Sequence, residues 1–182
     1  SGISFVGYAS GFDRQGAADP KKQEEAVSLA KQADTVLLCL GLDELRESEG
    51  LDRADMALAE NQQQLLAAVA AVNPNVVVLL SAGAPVETPW VGRCKALVYG
   101  ALGGQAGAGA AADILTGKLC PCGKLSQTWA KAHDDTPAKA NFGGEGRNVE
   151  YREGLYVGYR YFETAGKPVA FPFGYGLSYT TF

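Results

Sequence analysis

Apolar residues along this chain recur in two rhythms, and the changes between them mark the elements. From Lys21 to Ala33 they return at helical spacing, and Asp19-Pro20 supplies an N-cap followed by proline at the first helical position. A helix is predicted to start near Pro20. It leads into Thr35 to Leu40, TVLLCL, a short continuous apolar run that reads as a strand buried on both faces. Residues 41 to 55 break the pattern with a polar, carboxylate-rich loop. Helical spacing resumes from Glu60 to Val72, and Asn73-Pro74-Asn75 ends it with turn chemistry.

A second strand is predicted at Val76 to Leu80, a loop at Gly83 to Trp90 and a third strand at Lys95 to Tyr99. A small-residue helix follows from Gln105 to Leu115, closed by Gly117. Strand, loop and helix in succession imply a mostly parallel sheet with helices on its faces, an α/β fold. Beyond Gly117 the texture turns to Pro, Gly and aromatic residues. There the reading is a short strand near Leu125 to Trp129, a polar loop from Lys131 to Val149 and a short element around Leu155 to Phe162. At the start, Ile3 to Tyr8 is apolar and strand-like.

With 182 residues, 47% of them hydrophobic and 20% charged, the chain has the composition of one globular domain able to bury a core. Its net charge of -4 comes without a Lys/Arg stripe, which argues against nucleic acid as a partner. No apolar run approaches the roughly 18 to 20 residues that span a bilayer, so no membrane association is expected. The four cysteines are Cys39, Cys94, Cys120 and Cys122. The last two are too close in sequence for an unstrained disulfide and no pair has zinc-site spacing, so they read as reduced thiols that slightly favour a cytoplasmic location.

In open parallel sheets, ligands meet the loops at the carboxyl ends of the strands. The first such loop, GLDELRESEGLDRAD at 41 to 55, holds Asp43, Glu44, Glu47, Glu49, Asp52 and Asp55 against Arg46 and Arg53. Acid/base chemistry, metal chemistry and a merely solvated acidic face all remain open on that count. The ligand spacing of a calcium-binding helix-loop-helix is absent. Glu49 precedes Gly50, which lets the backbone turn tightly, and Asp52-Arg53 could form a charge-assisted hydrogen bond that fixes the loop. Gly107, Gly109 and Ala112 have dinucleotide-fingerprint spacing but follow the third strand, so close packing of a small-residue helix on the sheet is the better reading. The single histidine, His133, lies in a polar loop with no G-x-S-x-G elbow and reads as a surface residue. The aromatic set from Tyr151 to Tyr179 suits either sugar stacking or packing, with packing the commoner use.

Taken in order, GLDELRESEGLDRADM at 41 to 56, NPNVVVLLSAGAPVETPW at 73 to 90, GKLSQTW at 123 to 129, YREGLYVGYRYF at 151 to 162 and FPFGYGLSYTTF at 171 to 182 form a series. It resembles the motifs of the C-terminal α/β-sandwich domain of family 3 glycoside hydrolases, in the β-glucosidase branch. The resemblance covers roughly residues 24 to 182. It departs from the family at Leu58-Ala59, often Leu-Pro there, and at Tyr99 to Gly104, often more aromatic.

The resemblance implies a three-layer α/β/α sandwich of the flavodoxin-like, (α/β)6 type, lacking its first strand and helix, with residues 1 to 182 forming a single partial domain. The partner domain would be a (β/α)8 barrel, absent here, that supplies an aspartate nucleophile. The chain would then be a fragment of a larger parent, inactive alone. Glu49 matches the general acid/base of E-G-x-D-R, and Asp52 and Arg53 match the same motif as supporting residues. A retaining glycosidase sets its two carboxyl groups about 5 to 5.5 Å apart. The implied reaction removes terminal non-reducing β-D-glucosyl residues from β-glucosides or short oligosaccharides, with no cofactor and no metal; substrate-binding residues stay unassigned. The alternatives are a non-catalytic carbohydrate-binding or structural module of the same fold, and a flavodoxin-like nucleotide-binding domain.

Overall fold

The structure is a computed structural model, and it describes residues 2–181; Ser1 and Phe182, the last residue of the closing aromatic motif, lie outside the described residues. The first helix, α1, spans Pro20–Ala30 and the first strand, β1, spans Val36–Gly41. They are followed by α2 at Glu60–Ala70, β2 at Val76–Ser81 and β3 at Ala96–Tyr99. The helix α3 runs over Gly107–Leu115 after a 3-10 turn at Gly104–Ala106, and Gly117, at φ +73, ends it in the left-handed region that a residue with Cβ avoids. The last third holds β4 at Trp129–Ala130, α4 at Tyr159–Thr164 and β5 at Val169–Phe171.

β1, β2 and β3 form one parallel sheet in that order, with Val36 beside Val76, Gly41 beside Ser81 and Leu80 beside Tyr99. The core lies on the face where α1 and α2 pack. Leu38 and Leu40 of β1 and Val76, Val78 and Leu80 of β2 meet Ala30 of α1 and Leu65, Leu66 and Val69 of α2. Fully burying side chains of this size contributes about 1.5–3 kcal/mol each relative to exposure. β1 is not buried on both faces: Leu37 is 46% exposed and Cys39 also faces outward. A run such as VLLCL conceals the twofold alternation of a strand, because its outward residues are as apolar as its inward ones.

Nor is Ile3 to Tyr8 a strand. It has no ladder partner among the described residues, and Phe5 is 82% exposed. The stretch that follows it is held by a side chain: the buried Asn61 donates to the carbonyls of Asp13 and Ala17 at 2.8 and 3.1 Å. The strand expected near Leu125 to Trp129 narrows to Trp129–Ala130, paired antiparallel with β5, which the sequence pattern missed. Trp129 is 1% exposed, with Tyr99 and Phe171 edge-on to it at ring-centre distances of 5.0 and 5.9 Å. α3 buries none of its residues, so its small side chains do not pack closely on the sheet. Only Gly107 serves the tight turn before it, where a Cβ on Gly103 would lie 2.8 Å from the Gly107 Cα.

Two polar residues hold the helical layer. The amide of Asn73, 5% exposed, donates to the carbonyls of Ala30 and Ala33 at 2.9 and 2.7 Å and accepts from the Asn75 N–H at 2.8 Å. It ties the end of α1 to the turn before β2. Asn73→Ala strands two carbonyls without their donor and is expected to cost about 1–3 kcal/mol, read from the shift in a urea denaturation midpoint. At the other end of α1, the Lys22 N–H donates to Asp19 Oδ1 at 3.1 Å and holds that carboxyl below its ordinary 3.8. A depressed carboxyl contributes stability above its unfolded pKa and loses it as pH falls through the folded value. Asp19→Ala is therefore expected to lower the thermal midpoint at neutral pH, with the difference shrinking as pH drops below about 3.8 and Asp19→Asn retaining most of the cap.

Candidate active site

Three loops leave the carboxyl ends of β1, β2 and β3, and the backbone at their roots is fixed closely. A Cβ on Gly41 would run into the Ser81 carbonyl, and the Leu42 N–H donates to that carbonyl at 3.0 Å. The outer edge of Gly41 is clamped by Gln62 of α2, which accepts from its N–H at 2.9 Å and donates to its carbonyl at 2.8 Å. Gln62 is 3% exposed and escaped the sequence reading as one polar residue among NQQQ. Its signal was positional, since 62, 65, 66 and 69 share one helical stripe. The second and third loops join where the Tyr99 hydroxyl donates to the Ala82 carbonyl at 2.8 Å.

All three loops meet at Gly83. Its N–H donates to Glu47 Oε2 at 2.9 Å, and a Cβ there would lie 2.9 Å from both Glu47 Oε1 and Leu102 Cδ1. The carboxylates of the first loop then separate by partner. Asp43 Oδ1 accepts from the N–H groups of Leu45 and Arg46 at 2.9 Å each. Glu44 pairs with Arg14 at 2.7 Å. Asp55 accepts from the Ala57 N–H at 2.9 Å and lies 3.9 Å from Arg46. Glu49 and Asp52 alone make no hydrogen bond or ion pair among the described residues, and both are exposed. Glu49 stands beside Gly50, whose φ of +80 turns the tip of the loop.

Arg53 does not pair with Asp52. The two adjacent side chains diverge: Asp52 faces water, while half-buried Arg53 turns inward and donates from Nη1 to the Pro85 carbonyl at 3.2 Å. Burial pulls the Arg53 pKa down against the opposing pull of Asp55 and Glu47. The loop is thus anchored to its neighbour by Arg53 without its motif partner. His133 stands apart, its backbone N–H donating to Glu87 Oε1 at 2.8 Å and its ring facing Lys139. The aromatic set divides: Phe162 is buried and Phe171 packs on Trp129, whereas Tyr151, Tyr156 and Tyr179 are exposed.

Residues 6–179 match the glycosyl hydrolase family 3 C-terminal domain. The chain belongs to that family. This family 3 domain is 45% identical over 176 residues to thermostable beta-glucosidase B of Acetivibrio thermocellus, covering 96% of the chain and 23% of that protein. It is 48% identical over 166 residues to an exo-alpha-(1->6)-L-arabinopyranosidase of Bifidobacterium breve, covering 91% of the chain and 22% of the relative. Among solved structures, the Bifidobacterium adolescentis family 3 beta-glucosidase superposes with a TM-score of 0.93 at 48% identity, over 95% of this chain and 26% of that one. The Kluyveromyces marxianus beta-glucosidase in complex with glucose gives 0.86 at 44% identity, over 91% and 20%. The family 3 domain therefore spans about a quarter of the length of the relatives it matches.

The close approach of the first two loops makes Gly41 a sensitive position. Gly41→Ala is expected to destabilise the domain by about 1–3 kcal/mol through overpacking against the β2 backbone, measured by chemical denaturation.

Proposed function

We propose that this chain is the α/β-sandwich domain of a retaining β-glucosidase-type hydrolase, and that Glu49 is its general acid/base. The observation that carries the reading is the sorting of carboxylates on the loop after β1. Asp43, Glu44, Glu47 and Asp55 are engaged by backbone N–H or arginine, while Glu49 is exposed and unpartnered among the described residues at the carboxyl edge of a parallel sheet. Asp52 is equally free, but Glu49 is the residue that matches the donor position of the E-G-x-D-R motif, and Arg53 supports the loop.

The nucleophile is an aspartate on a (β/α)8 barrel, the partner domain of the parent enzyme. Exposed apolar side chains such as Phe5, Tyr8, Tyr151 and Leu155 are ones that such a partner would cover. In the first step the barrel carboxylate attacks the anomeric carbon, the bond to the leaving oxygen breaks, and Glu49 donates its proton to that oxygen. In the second, Glu49 takes a proton from water as the water oxygen displaces the aspartyl ester. A donor that works near neutral pH needs desolvation or a neighbouring negative charge to keep its proton. Closure of the barrel over the loop supplies both, and the isolated chain is inactive.

The substrate class is terminal non-reducing β-D-glucosyl residues of β-glucosides and short oligosaccharides. A 48% identical relative named an exo-alpha-(1->6)-L-arabinopyranosidase supports the reading that likeness in this domain does not by itself fix the sugar; the pockets that select it lie largely on the barrel. In the full-length enzyme, Glu49→Ala is expected to lose about 10²- to 10⁴-fold in kcat on poor leaving groups. It should lose much less on dinitrophenyl glucoside, and azide should restore turnover with β-glucosyl azide as product. Near wild-type turnover of an alkyl glucoside by Glu49→Ala would remove Glu49 from the reaction.

A further inference from the structure

We infer that Glu47 is the positioning residue for the proton donor, holding the loop tip that carries Glu49 against the loop after β2. The inference rests on the assignment of Glu49 above. Glu47 is anchored at both ends. Its backbone N–H donates to the Asp43 carbonyl at 3.0 Å, in a turn that the Asp43 side chain also caps, and its carboxylate accepts the Gly83 N–H at 2.9 Å. A Cβ at position 83 would lie 2.9 Å from Glu47 Oε1, so a side chain there would push the carboxylate off its seat. On the far side of the tip, Arg53 reaches the Pro85 carbonyl at 3.2 Å. Residues 48 to 52, all exposed, are thus the free arc between two anchors, and Glu49 is two residues from the first of them.

The chemistry of Glu47 suits an anchor and not a donor. Its carboxylate is already occupied by the Gly83 N–H, whereas a general acid must be free to reach the leaving oxygen. Two glutamates in one E-x-E-G segment therefore divide the work, one fixed to the scaffold and one presented to the crevice. Misplacing a reacting group by about 1 Å costs on the order of 10²-fold in rate, so the anchor is expected to act on turnover more than on substrate affinity.

The test compares Glu47→Ala and Glu47→Gln in the full-length enzyme, alone and combined with Glu49→Ala. Glu47→Ala is expected to lower kcat by about 10- to 100-fold on alkyl glucosides, much less on dinitrophenyl glucoside, with KM changed by less than about threefold. Glu47→Gln retains an oxygen to accept the Gly83 N–H and should recover most of that loss. In the Glu49→Ala background, Glu47→Ala should cost nothing further, since a residue that acts through another falls silent when that other is gone. Amide exchange at Gly83 should quicken in Glu47→Ala and stay slow in Glu47→Gln. Additive losses in the double variant, equal losses on both leaving groups, or no loss in Glu47→Ala would each overturn the inference. An active Glu49→Ala single variant would instead reveal a failure of the donor assignment, so the two failures are distinguishable.

Discussion

Parallel pairing between β1 and β2 runs in register from Val36 beside Val76 to Gly41 beside Ser81, so the loops that leave the two strands start side by side. That adjacency is the constraint from which the site follows. It requires a residue without Cβ at position 41, where the Ser81 carbonyl closes in, and it leaves the outer edge of Gly41 to be satisfied by Gln62. Loops that begin together can then be tied together, by Glu47 at Gly83 and by Arg53 at Pro85. The hydrophobic core beneath, with Leu66, Val76, Val78 and Leu80 each 0% exposed, gives those ties a rigid base.

A division of labour among like residues follows. The loop after β1 is rich in carboxylates, yet most of them serve its own shape: Asp43 caps a turn, Asp55 caps the approach to α2, Glu44 meets an arginine from the N-terminal segment and Glu47 reaches the next loop. Anchored carboxylates satisfy backbone donors and fix geometry. Free ones remain available for proton transfer. Such an arrangement fits an enzyme whose reacting groups come from separate domains, because a donor delivered across a domain boundary must be held by its own scaffold before the other domain closes on it.

Much of this was legible in the sequence, for reasons that can be named. Asp19-Pro20 and Asn73-Pro74-Asn75 carry their own stereochemistry, so α1 starts and α2 ends where local rules place them. Short apolar runs between helices gave the parallel strands, and the ordered motifs gave the family, which the match over residues 6–179 bears out. What stayed hidden was tertiary. The outward face of β1 is apolar, so its alternation left no trace at Leu37 and Cys39. The pairing of Trp129–Ala130 with Val169–Phe171 joins segments some forty residues apart that share no local pattern. Asp52-Arg53 looked like a pair because the residues are neighbours in sequence, but neighbouring side chains diverge and the partner of Arg53 lies on another loop.

On the proposed assignment, Glu49 belongs in a crevice completed by a second domain, at the separation a retaining mechanism demands. The most direct measurement is a crystal structure of the full-length enzyme trapped as its fluoroglucosyl ester, giving the distance between the carboxyl of residue 49 and that of the esterified aspartate. A separation of about 5–5.5 Å, with the leaving-group side of the sugar facing Glu49, is the predicted result. A separation of about 6.5–9.5 Å, or a Glu49 side chain outside the crevice, would contradict it.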